Sequence, residues 1–252
     1  MKFFRNIRKR FLYKNKFSKY LGYALGEITL VVIGILIALA INNRNQDRIN
    51  EKNEQIYLTG LREEFQTSKL KLTELIAVNQ ANYIGAKEIL RYTTANELPV
   101  EIVFSTLLYN TFSSDVAFNP NNSLLLEMIN SGNLKNLSNT ELRKQLTNWT
   151  ATLEDISRQE EELAIQREKV LDMFRKNESS LSTIFKQAGV YDDLDLPKSR
   201  NDVSNLGLLK STEFENNILM FILTSYATEK AHYYPLMQDI DGILELIQNV
   251  RK

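Results

Sequence analysis

The chain has 252 residues, of which 43% are apolar and 25% charged, and it contains only 9 Gly and 4 Pro. So few helix-breaking residues favour an all-α protein and argue against a β-sandwich or a doubly wound sheet. The absence of cysteine excludes disulfides, thiolate nucleophiles and zinc-thiolate sites.

The N-terminal tail, residues 1–20, is basic and amphipathic. It carries eight Lys and Arg residues and no acid, whereas residues 21–252 hold 23 bases against 31 acids. Apolar residues repeat through the tail at helical spacing, which is typical of a helix lying in a membrane interface. We expect a cytoplasmic tail that binds anionic lipid headgroups rather than nucleic acid, with Arg5, Arg8, Lys9 and Arg10 as contacts.

Residues 21–41 are predicted to form one transmembrane helix. The stretch from Ile28 to Ile41 has no charge, and a helix of this length covers about 30 Å, the thickness of the hydrocarbon layer. More basic residues precede the segment than follow it, which predicts a cytoplasmic N-terminus and a periplasmic domain from 42 to 252. Two alternatives remain open: a core helix of a soluble protein, and a signal peptide cleaved after Ala38-Leu39-Ala40.

Glu27 is the one acidic residue within the predicted span. A carboxylate at this depth usually faces protein or water, and small residues allow two helices to approach closely in lipid. These features predict an interface with another span, in a homo-oligomer or with another membrane protein. Its residues are Glu27, Val31, Gly34 and Ala38 on one stripe, with Gly22 and Gly26 on a neighbouring face. Alternatively, Glu27 lies shallow and is tied to headgroup water or to Lys16 and Lys19.

The segment Lys16–Asn43 resembles the opening of a family of uncharacterised bacterial single-span proteins. The matching positions are Gly26, Glu27, Ile28, Gly34, Ala38 and Asn42. A second, weaker similarity covers SGNLKNLSNTELRKQL, Ser131–Leu146. The family often has Gln in place of Ala40, which implies that the apparent cleavage site is incidental. The resemblance implies the single-span topology and carries no established activity.

After the span, the pattern predicts an antiparallel helical bundle. Apolar residues from Glu51 to Tyr92 recur at a 3.5-residue step, as in a coiled coil, and Ser68, Asn79 and Asn82 fall on the same stripe. A short helix is predicted from Pro99 to Phe112, a turn at 118–123 and another short helix to Asn130. Capping boxes at Ser138-x-x-Glu141 and Thr212-x-x-Glu215 predict two further helices. The first of these should reach about Lys176, residues 189–210 should form a loop, and Pro235 should kink the last helix.

The residues that could carry chemistry are few, and the sequence predicts no cofactor or metal. His232 is the only histidine, and with Tyr233 and Tyr234 it is a candidate ligand pocket. A hydrogen-bonded core or surface histidine is the alternative. The acids Asp192, Asp193 and Asp195 fit a solvated turn better than a calcium loop. The run from Glu160 to Glu162 reads as a solvated helix face.

With no convergent catalytic set, we expect a non-enzymatic interaction or assembly module anchored in the inner membrane. One alternative is an extracytoplasmic ligand sensor that signals through a partner span. Another is a hydrolase that uses paired carboxylates, which a cavity lined by acids would favour.

Overall fold

Helix α1, Lys16–Thr93, is continuous and contains both the predicted span and the 3.5-residue stripe that follows it. The computed structural model describes residues 16–176, 179–197 and 203–250, with side chains described from residue 21. The basic tail residues Arg5, Arg8, Lys9 and Arg10 lie outside the described residues, so their contact with lipid headgroups stays a prediction.

The other described segments are helical too, and the described ranges contain no strand. For this part of the chain the predicted all-α fold is confirmed. The longer helices are α2 (Glu101–Phe112), α3 (Ser123–Asn130), α4 (Thr140–Phe174), α7 (Thr212–Ala227) and α8 (Tyr234–Val250). Shorter ones are α5 (Leu181–Gln187), α6 (Val190–Asp193) and 3-10 turns at Asn133–Asn136 and Leu206–Lys210, and a π-helical segment, Thr228–Tyr233, joins α7 to α8.

The chain divides into two units, Met1–Ile56 and Tyr57–Lys252. In the first unit, the large apolar side chains between residues 21 and 41 are 46% to 79% exposed. Water does not solvate such a run favourably, because each buried apolar side chain is worth about 1.5–3 kcal/mol relative to an exposed one. By length and composition, this part of α1 can cross a membrane.

The second unit, from Tyr57 onward, has a core of aliphatic and aromatic side chains. Its α1 stripe is buried as the periodicity predicts, since Leu58, Leu61, Phe65 and Leu72 are at most 1% exposed. The ring of Phe65 meets that of Trp149 on α4 edge to face, with centroids 5.0 Å apart, a favoured geometry for aromatic pairs. Helix α4 also packs along α7, the π-helical segment and α8, whereas α2 packs on α5.

The N-caps of α4 and α7 each lie one residue away from the predicted position. The side chain of Asn139, not Ser138, accepts a hydrogen bond from the N–H of Leu142 and begins α4 at Thr140. Ser211, not Thr212, accepts from the N–H of Phe214 and begins α7. In each case the observed cap and the predicted cap are neighbouring short polar residues, and both residue types can cap a helix. Sequence alone therefore does not choose between them.

The predicted turn at 118–123 is held against α1 by side chains of that helix. The two carboxylate oxygens of Glu64 accept from the N–H groups of Leu124 and Leu125, at 2.7 and 3.2 Å, in the first turn of α3. Ser68 exchanges hydrogen bonds with the backbone of Asn121. A negative side chain satisfies the free N–H groups and the positive dipole of a helix N-terminus. The polar residues of α1 thus position α3.

The segment from 189 to 210 is not wholly a loop, because it contains α6 and the 3-10 turn Leu206–Lys210. Helix α5 precedes it, at a position where the sequence predicts no element. Asn205 supports α5 from 25 residues away: its Oδ1 accepts from the N–H of Ser180 and its Nδ2 donates to the carbonyl of Ser180. Such contacts arise only in the folded chain, which is why local patterns did not reveal these elements.

Candidate functional sites

The predicted span interface lies on an open surface of α1. Glu27, Val31, Gly34 and Ala38 are all exposed, as are Gly22 and Gly26. A Cβ atom added at Gly22, Gly26 or Gly34 would meet nothing within 4 Å. This surface has the room for close helix approach that the prediction requires, although contact with a second span stays a prediction.

The three residues of the predicted ligand pocket face different surroundings. His232 is half-buried and Tyr234 is exposed, whereas Tyr233 is 0% exposed and belongs to the core. The hydroxyl of Tyr233 donates to Glu160, and that of Tyr234 donates to Glu229. A ligand role for His232 stays a prediction.

Glu160 is a buried acid and does not lie on a solvated helix face. It is 8% exposed, whereas Glu161 and Glu162 are exposed as predicted. Its Oε1 accepts from the Tyr233 hydroxyl at 2.6 Å and from the N–H of Phe118 at 2.9 Å. Burial raises the pKa of Glu160, and the two hydrogen bonds oppose that rise. Burial and the Glu160 carboxylate together raise the pKa of Tyr233, which keeps its hydroxyl protonated as a donor.

A second group of buried polar side chains, the polar seam, joins α1 to α7 and the π-helical segment. It consists of Asn79, Asn82, Ser225, Thr228 and Glu229, which are at most 2% exposed. Asn79 Nδ2 donates to the carbonyl of Ser225 at 3.0 Å, and the Thr228 hydroxyl accepts from Gln159 of α4 at 3.0 Å. The seam therefore connects α1, α4, α7 and the π-helical segment.

The polar seam is only partly satisfied by hydrogen bonds. Among the described residues, Asn79 Oδ1, Asn82 Nδ2, Ser225 Oγ and Glu229 Oε2 have no hydrogen-bond partner. Glu229 Oε1 accepts from the Tyr234 hydroxyl at 2.9 Å and pairs with Lys230 at 3.2 Å. Each unpaired buried group costs about 1–3 kcal/mol, so the seam does not act as a net source of stability. A polar layer of this kind can instead fix which helix faces meet.

Two buried glutamates of the core bond to different tyrosines. Glu160 bonds to Tyr233 and Glu229 bonds to Tyr234, and no group of three or more His, Cys, Asp or Glu side chains in the described ranges could hold a metal ion. Asp192, Asp193 and Asp195 are exposed around the end of α6, in agreement with a solvated turn.

A concave, mostly apolar pocket of about 350 Å³ lies where α2, α4, α5 and α6 meet. This volume is at the small end of the roughly 300–1,000 Å³ typical of ligand sites. Its apolar walls are Leu108, Tyr109 and Phe112 from α2, Leu171 and Phe174 from α4, Leu181, Ile184 and Phe185 from α5, and Val190 and Leu194. Tyr109 and Phe185 of this lining meet edge to face, with ring centroids 6.2 Å apart.

Two arginines of α4 provide the charge of this pocket. Arg167 is held in place because its Nε donates to the carbonyl of Phe112, the last residue of α2, at 2.8 Å. Its side chain is 18% exposed. Arg175 is about half exposed and pairs with Asp172 at 2.5 Å and Glu168 at 2.9 Å. Among the described residues, no side chain that lines the pocket is acidic, although Glu168 contacts both arginines.

Neither the pocket nor its arginines are indicated by the sequence. The walls of the pocket come from four separate helices, so no local sequence pattern indicates it. Two of these helices, α5 and α6, were not predicted. Arg167 and Arg175 read in the sequence as ordinary surface charges of an amphipathic helix.

A model of a protein family described only as a family of unknown function, DUF6090, matches residues 27–155. The match begins at Glu27 in the apolar part of α1 and ends in α4, before Arg167. No curated protein and no solved structure matches the chain.

Proposed function

The chain belongs to DUF6090, a family of unknown function, and we propose that it is a non-enzymatic interaction or assembly module anchored in a membrane by residues 21–41. The observation that carries the proposal is the exposed, uncharged run from Ile28 to Ile41 on α1. Exposed apolar surface of this extent marks contact with lipid or with another protein.

The proposal includes an orientation. The basic tail stays in the cytoplasm of a bacterial cell, the span crosses the inner membrane, and residues 42–252 form a periplasmic, antiparallel helical bundle. The support is the charge distribution, with eight bases and no acid before residue 21. Basic residues next to a span are retained on the cytoplasmic side.

The proposal also includes an assembly surface on the span. Glu27, Gly34 and Ala38 form its centre, because a polar group and small residues on one face promote helix association in lipid. Glu27→Ala and Gly34→Leu should each reduce the cross-linked oligomer or complex recovered from membranes. Ala40→Leu, which also introduces a leucine side chain but away from this stripe, should leave the yield unchanged. Unchanged cross-linking in the first two variants would refute the interface.

The non-enzymatic part of the proposal rests on how the core is filled. A hydrolase that uses paired carboxylates would need both acids to face a common cavity, whereas Glu160 and Glu229 are each bonded to a tyrosine. Affinity purification of the intact protein from its own membrane tests the module directly. We expect a reproducible protein partner or a stable homo-oligomer; a monomer with no partner would contradict the proposal.

A ligand sensor is the second candidate, and the pocket between α2, α4, α5 and α6 is the observation that favours it. Its lining is apolar with two guanidinium groups, which suits a small molecule better than a flat protein surface. In this candidate the signal passes to a neighbouring span.

A further inference from the structure

We infer that the pocket between α2, α4, α5 and α6 binds a single-chain carboxylic acid, with its acyl tail among the apolar walls and its carboxylate at Arg167 and Arg175. The inference goes beyond the anchored module. It shares with the ligand-sensor candidate the premise that the pocket is a binding site, and it does not depend on the span.

The walls determine the tail of the ligand. Side chains such as Phe112, Phe174, Ile184 and Phe185 surround a volume of about 350 Å³, which removes apolar ligand surface from water. A volume at the small end of the range for ligand sites suits one short acyl chain and is too small for the two chains of a phospholipid. The mouth is open enough for the head of such a molecule to remain in contact with solvent.

The arginines determine the head of the ligand. Guanidinium groups bind carboxylates through two parallel hydrogen bonds. Arg167 is already oriented by its bond to the Phe112 carbonyl, so little side-chain freedom would be lost on binding. Arg175 is exposed and paired with Asp172 and Glu168. Exposed ion pairs of this kind contribute little, and its guanidinium can therefore turn to a ligand carboxylate at small cost.

Charge complementarity distinguishes this ligand from other amphiphiles. An alkyl ammonium ion would place its charge against two arginines, and a neutral alcohol would offer the guanidinium groups no carboxylate in exchange for Glu168 and Asp172. A peptide C-terminus with an apolar last residue shares the carboxylate chemistry. It is the occupant against which the acyl chain has to be tested.

The test is photo-cross-linking to the full-length protein in lipid nanodiscs, followed by peptide mapping. The probe is dodecanoic acid with a diazirine in its tail, and its control is the matching dodecanol. We expect the acid to label peptides of α2, α4 and α5 that line the pocket. An excess of unlabelled dodecanoate should remove the label, and the alcohol should give about tenfold less of it, as loss of one charge-assisted interaction implies.

Three variants make the result specific. Ser113→Trp places a large side chain at an exposed position of the pocket lining and should abolish labelling there. Arg175→Gln should reduce it about tenfold. Arg158→Gln is the matched control, because Arg158 pairs with Asp155 three residues away on the same helix, as Arg175 does with Asp172. It should leave labelling unchanged.

Pocket peptides labelled no more strongly than other surface peptides would overturn the inference, as would equal labelling by the acid and the alcohol. Stronger competition by a short peptide ending in free leucine than by dodecanoate would assign the pocket to a peptide and overturn the acyl ligand. Label within residues 21–41 reports contact with lipid. If the pocket is labelled and residues 21–41 are not, the membrane anchor is refuted while the acyl ligand of the pocket is supported.

Discussion

Two parts of the single helix α1 differ in the exposure of their apolar side chains. Between residues 21 and 41 the large apolar side chains are at least 46% exposed, whereas Leu58, Leu61, Phe65 and Leu72 are at most 1% exposed. Both parts are helical, so helix propensity does not explain the difference in exposure. The second part is stabilised by packing in water, whereas the first part is long and apolar enough to cross a membrane.

The largest expected effect comes from placing charge in the first part. Ile33→Arg combined with Leu36→Arg should reduce membrane recovery sharply, since each central Arg costs about 2.5–3.5 kcal/mol on insertion scales. Leu70→Arg with Ile84→Arg is the matched pair on the same helix, at positions 67% and 59% exposed. Carbonate extraction of membranes should recover the second pair like the wild type. Equal recovery of both pairs would show that residues 21–41 do not sit in lipid.

The next effect concerns the buried acid of the second part. Glu160→Ala removes the acceptor of Tyr233 and Phe118 and should lower the free energy of unfolding by about 2–4 kcal/mol. Urea unfolding followed by fluorescence measures it, because Trp149 is the only tryptophan and is 2% exposed. Glu161→Ala, at the exposed neighbouring position, should change stability by no more than about 0.5 kcal/mol. Similar values for the two variants would remove the structural role assigned to Glu160.

A smaller effect separates two glycines of α1. A Cβ at Gly85 would collide with the hydroxyl oxygen of Thr111, which is 1% exposed, while a Cβ at Gly34 would meet nothing within 4 Å. Gly85→Ala should therefore destabilise the second unit by about 1–2 kcal/mol through overpacking. Gly34→Ala should leave the same tryptophan-monitored transition unchanged. A stabilising Gly85→Ala, as helix propensity alone predicts, would contradict the packing described.

The smallest effect is a pH dependence. The pKa of Glu160 is raised by burial above its ordinary value near 4.5. The ordinary pKa applies to the unfolded state and the raised pKa to the folded state. At pH values between the two, the folded state binds more protons than the unfolded state, so the free energy of unfolding should fall as pH rises. Glu160→Gln keeps an acceptor oxygen for Tyr233 and Phe118 and should remove this fall, in urea titrations from pH 4.5 upward. Glu161→Gln should retain the wild-type slope; a shared slope would contradict the assignment.

Periodicity predicted the buried faces of the long helices, including the unusual ones. Ser68, Asn79 and Asn82 were assigned to the α1 stripe and are at most 2% exposed. The same rule identifies Glu160, which follows Ile156 by four residues and precedes Leu163 by three. The interpretation as a solvated face was wrong because it read three successive acids as one group, although successive helical residues point in different directions.

The parts that sequence did not reveal depend on contacts between distant residues. The caps Asn139 and Ser211 each sit beside another residue of capping type, and only the folded backbone selects one. The π-helical segment at Thr228–Tyr233 ends two residues before Pro235, where a kink was predicted. The pocket at Arg167 and Arg175 needs α5, which Asn205 supports from 25 residues away.

Cysteine labelling tests the central claim most directly, that residues 21–41 cross a membrane with the tail inside and the helical unit outside. The chain has no cysteine, so single replacements can be read without background. In spheroplasts of a bacterial host, Ser157→Cys at an exposed position of α4 should react with a membrane-impermeant maleimide. Lys9→Cys in the tail should react only after lysis. Labelling of both residues before lysis, or of Lys9→Cys alone, would contradict the account.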